Sequence, residues 1–428
     1  MIIRFPYGKE TLSLDIKKGR VFVVESHIPE GVEDREAIEI AAKALDSPIA
    51  FDKIEDALLR QEIKTIAILV TDKTRATPNK LLLQALLPRL LKAGVKSEDI
   101  TIVVATGLHK PHSYGEFIEL LGEDIVKNYT VVSHNSDDID NHVYLGKTSF
   151  GTEIYINKTV YLSDLIIGIG LIEPHFFAGY SGGRKLILPG ISSTKTVYQN
   201  HSYKMISHDK ADYGVLDGNP VHEDMVEAST MVKNYRFILH AILDKKKKVV
   251  DIIAGDPYKA HLNGVKRYDN FARVATPFLG DLVITTNGGY PLDRDLYQAV
   301  KGMCTASRVS KPGGVIVMLS ECMDGVGHEH FRELASIDRD PKKILEYIAK
   351  NEPLRDQWQV QKLAQVLLKN KVIVVTRNIK HSVLEEMNLI PASSPEEALE
   401  IASKLTPCEK IIAIPEGPYV IPEYRDTK

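Results

Sequence analysis

Four short apolar runs in this chain each end in side chains able to bind or move charge. TIAILV runs into Thr71-Asp72-Lys73-Thr74-Arg75, and ITIVVA into Thr106-Gly107-Leu108-His109-Lys110-Pro111-His112. LIIGI leads through Glu173-Pro174-His175 to Gly179-Tyr180-Ser181-Gly182-Gly183-Arg184-Lys185. LVITT leads to Asn287-Gly288-Gly289-Tyr290-Pro291, with Gln298 and Lys301 following at helical spacing. A histidine can take or give a proton near neutral pH. Arginine and lysine can neutralise a carboxylate, the arginine through a two-point fork that also fixes orientation. Taken singly, each residue reads as readily as a structural histidine, an ion-paired arginine or an exposed lysine after a turn. Four such strand ends with complementary chemistry point instead to a cleft.

The elements that must position these residues can be read from the same pattern. In open α/β sheets, ligands bind just beyond the carboxyl ends of the strands. Short β-branched runs recur between amphipathic segments: Thr65–Thr71, Ile100–Ala105, Tyr129–Ser133 and Leu165–Ile169 in the first half, and Leu282–Thr286, Gly314–Ser320, Val372–Thr376 and Ile411–Ile414 in the second. Each is too short for a helix and too continuously apolar for an edge hairpin, which predicts strands buried on both faces. The fold class expected is α/β, with two α/β domains of mainly parallel sheets and the cleft between them. The helical pattern breaks at FARVATPFLG (Phe271–Gly280), which divides the chain into an N-terminal domain, 1–272, and a C-terminal domain, 273–428, whose end can pack back on the first. After Thr77-Pro78, NKLLLQALLPRLLKAG reads as a capped helix with a first-turn proline, a kink at Pro88 and a stop at Gly94. A second amphipathic stretch, Pro395–Lys404, follows the capping-type Ser393-Ser394.

Composition bounds the function classes. The chain has 428 residues, 44% hydrophobic and 26% charged, enough for two cores. A net charge of −3 with acids and bases interspersed gives no argument for nucleic acid or an anionic membrane as partner. The one basic block, Lys245–Lys248, lies between the β-like stretches Phe237–Leu243 and Val249–Ala254 and reads as a solvated hairpin turn. Cys304, Cys322 and Cys408 are odd in number and form no CxxC pair, which suggests a reducing compartment without a disulfide frame or zinc ribbon. The opening MIIRFPYGKETLSLDI alternates like a strand and is not read as a signal peptide, and no apolar run approaches a membrane span. A cytoplasmic protein is expected.

Three motifs compete with the cleft. GYSGG (179–183) fits the nucleophile-elbow pattern with Ser181 as nucleophile, but that pattern needs a strand running straight into the serine, and here Glu173-Pro174 intervene. GYSGGRKL lacks the spacing of a phosphate-binding P-loop and has Leu186 where Ser or Thr should meet magnesium. Its glycines still suit close backbone approach to a phosphate or cofactor. Gly327-His328-Glu329-His330 resembles a metal tract, although a glycine-rich loop is the simpler reading.

Taken together, DKTRATP (72–78), ATGLHKPH (105–112), EPHFFAGYSGGRK (173–185), NHSY (200–203), GGYPLDRDLYQAVK (288–301) and DQWQVQ (356–361) resemble the nickel-dependent lactate racemase family, in the family's order and across nearly the whole chain. The resemblance implies a nickel-pincer nucleotide, a pyridinium mononucleotide with two sulfur arms, one joined to a lysine as a thioamide. Carried onto this sequence, it implies Lys185 as the attachment lysine and His201 as the protein ligand to nickel. His109 and His175 become the paired acid/base residues. Arg75, Gln298 and Lys301 hold the substrate, Tyr297 and Trp358 line its pocket, and Asp72 and Thr74, with Gly182 and Gly183, face the ribose phosphate. It also implies cofactor-assembly enzymes as maturation partners. Nickel accepts imidazole beside soft sulfur in a planar field, and a cofactor supplying three donors needs only one from the protein.

The reaction implied is interconversion of D- and L-lactate or a related small 2-hydroxy acid. Pulling off the Cα proton would create a dianion-like enolate, for which imidazole, with a reference pKa of about 6.5, is far too weak a base. Removing the hydrogen as hydride to the pincer while a histidine takes the hydroxyl proton avoids that carbanion and leaves a bound 2-keto acid. Two bases serve because the enantiomers present their hydroxyls on opposite sides. The alternatives are racemisation or epimerisation of another 2-hydroxy acid (malate, phenyllactate, a sugar acid), a serine hydrolase using Ser181, or a carboxylate-binding sensor without turnover.

Overall fold

The computed structural model of the protein describes residues 1–60 and 63–426. Two six-stranded sheets organise it. The first has the strand order 249–255, 235–243, 165–171, 66–71, 100–105, 130–133, parallel except for the hairpin formed by 235–243 and 249–255. The second has the order 390–392, 371–375, 310–319, 280–286, 410–414, 20–23 and is parallel throughout. An α/β fold with mainly parallel sheets is therefore what the alternation of apolar runs and amphipathic segments encodes.

Ile66–Thr71, Leu165–Leu171 and Gly280–Thr286 are buried along almost their whole lengths, because helices cover both faces of each sheet. The run ending at Ser133 departs from that expectation. Thr130–Ser133 alternates between exposed and half-buried because it is an edge strand, paired on one side only. The helix Asn79–Lys92 also differs in its start. Pro78 occupies the cap position without a side-chain cap, and Asn79 Nδ2 instead donates to the Thr71 carbonyl at 3.1 Å, closing the strand-to-helix turn. The helix continues through Pro88, and Gly94 follows its end with φ +96°. Pro395–Leu405 starts as read, with Ser394 Oγ accepting from the Glu397 amide at 3.1 Å.

The N-terminus folds as a hairpin, Ile2–Tyr7 with Glu10–Asp15, whose Ile3, Phe5, Tyr7 and Leu14 pack into the core of the second sheet. Arg20–Val23 then adds that sheet's edge strand beside Lys410–Ala413. The chain crosses to the first sheet and returns at Arg273–Thr276, which pairs with Ile421–Tyr424. A division near residue 272 thus separates the two sheets apart from this N-terminal segment. Among the described residues, no helix is long and apolar enough to cross a membrane.

Strand order reverses once in each sheet. In the first sheet the reversal lies between 66–71 and 165–171; in the second it lies between 280–286 and 410–414. The carboxyl ends at such switch points are where open α/β sheets leave a crevice.

Candidate active site

The cleft forms at the first switch point and is closed by helices from the second sheet. From the strand ends come Asp72 and Arg75, His109, and His175, the last on a short hairpin of Pro174–His175 with Gly179–Tyr180. The turn Gly183–Leu186 presents Lys185, and the helix Thr194–Asn200 ends at His201. Across the cleft, Asp295 caps the helix Leu296–Val309 by accepting from the Gln298 amide at 2.7 Å, which points Tyr297, Gln298 and Lys301 inward. Trp358 enters from the first turn of Gln357–Lys369. Every candidate from the sequence lines this one cleft except Thr74 and Gly183.

The two histidines are held differently. His109 Nδ1 lies 2.6 Å from the buried Asp72 carboxylate, which also accepts from Thr74 Oγ1 at 2.7 Å. Burial alone would raise the Asp72 pKa, yet His109 and Arg75, with Thr74, hold it down at about 2. An ionised Asp72 fixes the proton on Nδ1 and leaves Nε2 of His109 free to accept one. The resemblance put Asp72 and Thr74 beside a ribose phosphate; in the structure, Asp72 is engaged with His109 and Thr74 with Asp72. His175 is buried against Phe176 and Phe177, with ring centroids 5.0 and 4.6 Å away. Its Nδ1 accepts from the Ala178 amide at 3.3 Å, so the resting proton sits on Nε2. Burial, then the charges of Lys185 and Lys301, push its pKa well below the usual histidine value.

Positive charge crowds the cleft floor. Burial is the main cause in each case. Lys301 is lowered to about 7, with Arg75 adding to the shift, and Lys185 is lowered well below its ordinary value, with Arg184 and Arg75 adding. Arg75 has a nearby carboxylate in Glu173, at 3.6 Å. A carboxylate bound here would restore the balance that burial removes. This sets the sign of a pH effect. Lys301 must be protonated to attract a carboxylate, so KM is expected to be flat below about pH 7 and to climb about tenfold per pH unit above it. Lys301→Arg, permanently charged, should erase that bend. A wild-type KM still flat at ~pH 9 would remove Lys301 from the substrate's carboxylate.

Sequence reasoning missed several residues here. Phe177 wedges between His175 and His201, 4.6 and 5.0 Å by centroid, with Lys185 Nζ 5.7 Å from its ring. The motif quoted above contains it, but no charge or proton chemistry marked it. His328 is not in a metal tract. Its Nδ1 is 2.9 Å from Asp356, its ring stacks on Tyr297 at 4.2 Å, and His330 lies exposed beside Glu333. Trp358 Nε1 donates to the Tyr297 hydroxyl at 3.1 Å, so these two rings turn apolar surface toward the cleft. Among the described residues no group of three or more His, Cys, Asp or Glu gathers as a metal site.

The glycine loop and Ser181 have structural explanations. Gly182 and Gly183 adopt φ +78° and +54°, and a Cβ at either would strike the His240 or His261 ring at 2.8 Å. Gly183 faces away from the cleft, its amide donating to His240 Nε2 at 2.7 Å. Ser181 Oγ accepts from the Glu173 amide at 3.0 Å and donates to the carbonyls of Leu171 and Glu173. His261 Nε2 bonds the Ser181 carbonyl, not its hydroxyl, so among the described residues Ser181 has no hydrogen-bonded base, which argues against the hydrolase reading.

The family model described as the lactate racemase N-terminal domain matches residues 7–214, and that of the lactate racemase C-terminal domain matches 276–421. The chain belongs to the lactate racemase family. A lactate racemase of Thermoanaerobacterium thermosaccharolyticum is 38% identical over 425 residues, spanning 98% of both chains. One of Lactiplantibacillus plantarum is 38% identical over 429 residues, 98% of this chain and 99% of that one. The structure of the T. thermosaccharolyticum lactate racemase apoprotein superposes with a TM-score of 0.92 over 99% of this chain and 100% of that chain, again at 38% identity. A Thermotoga maritima protein shares the fold at 18% identity, TM-score 0.70, over 93% of this chain and 99% of its own. In this chain the ends of 66–71, 100–105 and 165–171 meet in one cleft, and the fourth run reaches it only through Tyr297, Gln298 and Lys301 of the helix that follows it.

Proposed function

We propose that the protein racemises lactate, using a nickel-pincer nucleotide joined to Lys185 and ligated by His201. The observation that carries the reading is the presence, in one cleft, of two histidines on separate strand ends together with Arg75 and Lys301 for a single carboxylate. The residues fit the cofactor. His201 is buried, and its Nδ1 has no hydrogen-bond partner, as a metal-seeking imidazole requires. Burial, then Lys185, hold the His201 pKa well below the ordinary value, which keeps the ring in its ligating neutral form. Lys185 has no carboxylate beside it among the described residues, and burial, with Arg184 and Arg75, lowers its pKa well below the ordinary value, which eases release of the proton that an amide-type bond requires. When bound, the nickel nucleotide supplies the acceptor and donor of hydride.

The chain's own residues do the rest. Arg75 and Lys301 take the substrate carboxylate, with Gln298 within the same wall. His109, its Nδ1–H fixed on Asp72, accepts the hydroxyl proton of one enantiomer at Nε2. His175 serves the other in its second tautomer, with the ring proton moved from Nε2 to Nδ1, which breaks the weak bond from Ala178 and leaves Nε2 free to accept. Tyr297 and Trp358 cover the far side with apolar surface suited to a methyl group. A second carboxylate, as in malate, would need a further buried cation.

Two experiments test this. In single-turnover reduction of the cofactor with each pure enantiomer, His109→Asn should slow one enantiomer by roughly 10²–10⁴ and His175→Asn the other. Undiminished reduction by both enantiomers in both variants would make these histidines structural. A comparison of kcat/KM for lactate, malate, phenyllactate and a sugar acid should favour lactate. A tenfold advantage for malate or a sugar acid, about 1.4 kcal/mol of discrimination, would leave the reaction type and remove lactate.

A further inference from the structure

His328, in the tract Gly327-His328-Glu329-His330, is held in the same way as His109. His109 Nδ1 lies 2.6 Å from Asp72, and His328 Nδ1 lies 2.9 Å from Asp356. In both rings this leaves Nε2 without a protein partner among the described residues. The rings meet edge to face at 83°, with centroids 6.3 Å apart. His109 follows the strand 100–105, whereas His328 precedes the helix Glu329–Ala335 on the far side of the cleft.

The surroundings of His328 fix it in place. Its ring stacks on Tyr297 at 4.2 Å. The buried Asp356 adopts φ +66°, a left-handed conformation that strains a residue other than glycine, and its ion-pair partner is His328. Burial would lower the His328 pKa, but the bond to Asp356, with the charges of Asp356 and Asp295, raises it against the opposing charge of Arg355.

The two-histidine reading creates a need for such a group. When His109 accepts the proton of one enantiomer and His175 donates one to form the other, His109 ends with one proton more and His175 with one fewer. His109 must shed that proton before the next passage in the same direction. Its side chain is 32% exposed, but the ring lines the cleft that substrate fills. His328 is 37% exposed and stands outside that lining, which gives it a route to water beside the cleft.

We infer that His328, held by Asp356, relays the proton from His109 to solvent. The inference rests on the two-histidine reading. Nε2 of the His109 imidazolium gives its proton, through one bridging water, to Nε2 of neutral His328. The same His328 nitrogen then releases a proton to bulk water or a buffer base, and both rings return to neutral. The ring separation leaves space for one water, with hydrogen bonds of about 2.8 Å on each side. Imidazole, with a reference pKa of about 6.5, takes a proton far more readily than water does.

The test compares steady-state and single-turnover rates of the holoenzyme, in weak buffer, with the enantiomer that His109 deprotonates. His328→Phe keeps a ring stacked on Tyr297, and His328→Ala leaves space for added imidazole. Both should lower kcat about tenfold while single-turnover cofactor reduction stays within about twofold of wild type. Excess imidazole should restore most of kcat in His328→Ala. A kcat within about twofold of wild type in both variants overturns the relay, as does a loss that imidazole does not restore. Single-turnover reduction slowed as much as kcat would also overturn it, because His328 would then serve the chemical step. In the cofactor-free chain, Asp356→Asn, which suits the left-handed backbone, should lower the His328 titration midpoint read by NMR. A midpoint that does not move removes the pair. A wild-type holoenzyme whose cofactor lactate does not reduce fails the racemase reading and the relay with it. A wild type that turns over while the His328 variants keep pace fails the relay alone.

Discussion

Lys185→Ala is expected to give a folded chain whose intact mass matches its sequence, with racemase activity at background, when made in cells that assemble the cofactor. The wild-type chain from the same cells should carry one covalent increment. The effect is total because, among the described residues lining the cleft, one other amine is present. Lys301 lines the cleft too, but on the opposite wall, from the helix Leu296–Val309, and is only lowered to about 7. Lys185 is lowered well below its ordinary value, by burial and by the charge of Arg184 next to it. Arg184 is itself buried, bonded to the carbonyls of Ala178, Tyr180 and Gly182 with no carboxylate among its hydrogen-bond partners, and its pKa is lowered to about 9. Removing the Lys185 amine relieves charge crowding, so the variant's thermal midpoint should hold or rise. With attachment at Lys185 and ligation at His201, as proposed, His201→Ala should leave the increment in place while nickel is lost. A Lys185→Ala chain that still carries an adduct and turns over lactate would sink the attachment.

How much of this could be read from residues alone depended on distance along the chain. Strand ends were legible because a run such as LIIGI followed by Glu173-Pro174-His175 carries its own stop signal, and ligands gather at such ends. The pairing of those ends was not. Asp72 and His109 are 37 residues apart and meet only because their strands are neighbours in the sheet. Glu173 was quoted for its place in a motif, yet its partner, Arg75, lies beyond the end of another strand. The N-terminal segment gave a clear alternation, but nothing in MIIRFPYGKETLSLDI says that its apolar face covers the sheet formed by residues 280–414. The lysine turn shows the limit most clearly. Four lysines read as a solvated hairpin, and they do form one, but the left-handed turn of Lys247 onto Tyr419 is set by tertiary packing.

The tie between Asp72 and His109 yields the other large effect. Asp72→Asn keeps the size of the side chain and changes one property, its ability to accept from Nδ1–H. The asparagine amide can instead donate to Nδ1, which moves the ring's proton to Nε2, where the substrate hydroxyl must give up its own. A buried aspartate in this position is worth roughly 10⁴ in kcat in the serine proteases, where the same inversion of tautomer follows its loss. A loss of about 10³ is expected here, with KM little changed and the covalent increment intact. The loss should fall on the enantiomer that His109→Asn also cripples, since His175 is oriented by Ala178 and its aromatic neighbours rather than by a carboxylate. In the double variant Asp72→Asn/His109→Asn, the two losses should not add, because both remove one proton acceptor. A fall shared equally by both enantiomers would mean that Asp72 holds the cleft's shape or its cofactor rather than the His109 ring. Additive losses in the double variant would carry the same meaning, and Asp72 would then return to the neighbourhood of the ribose.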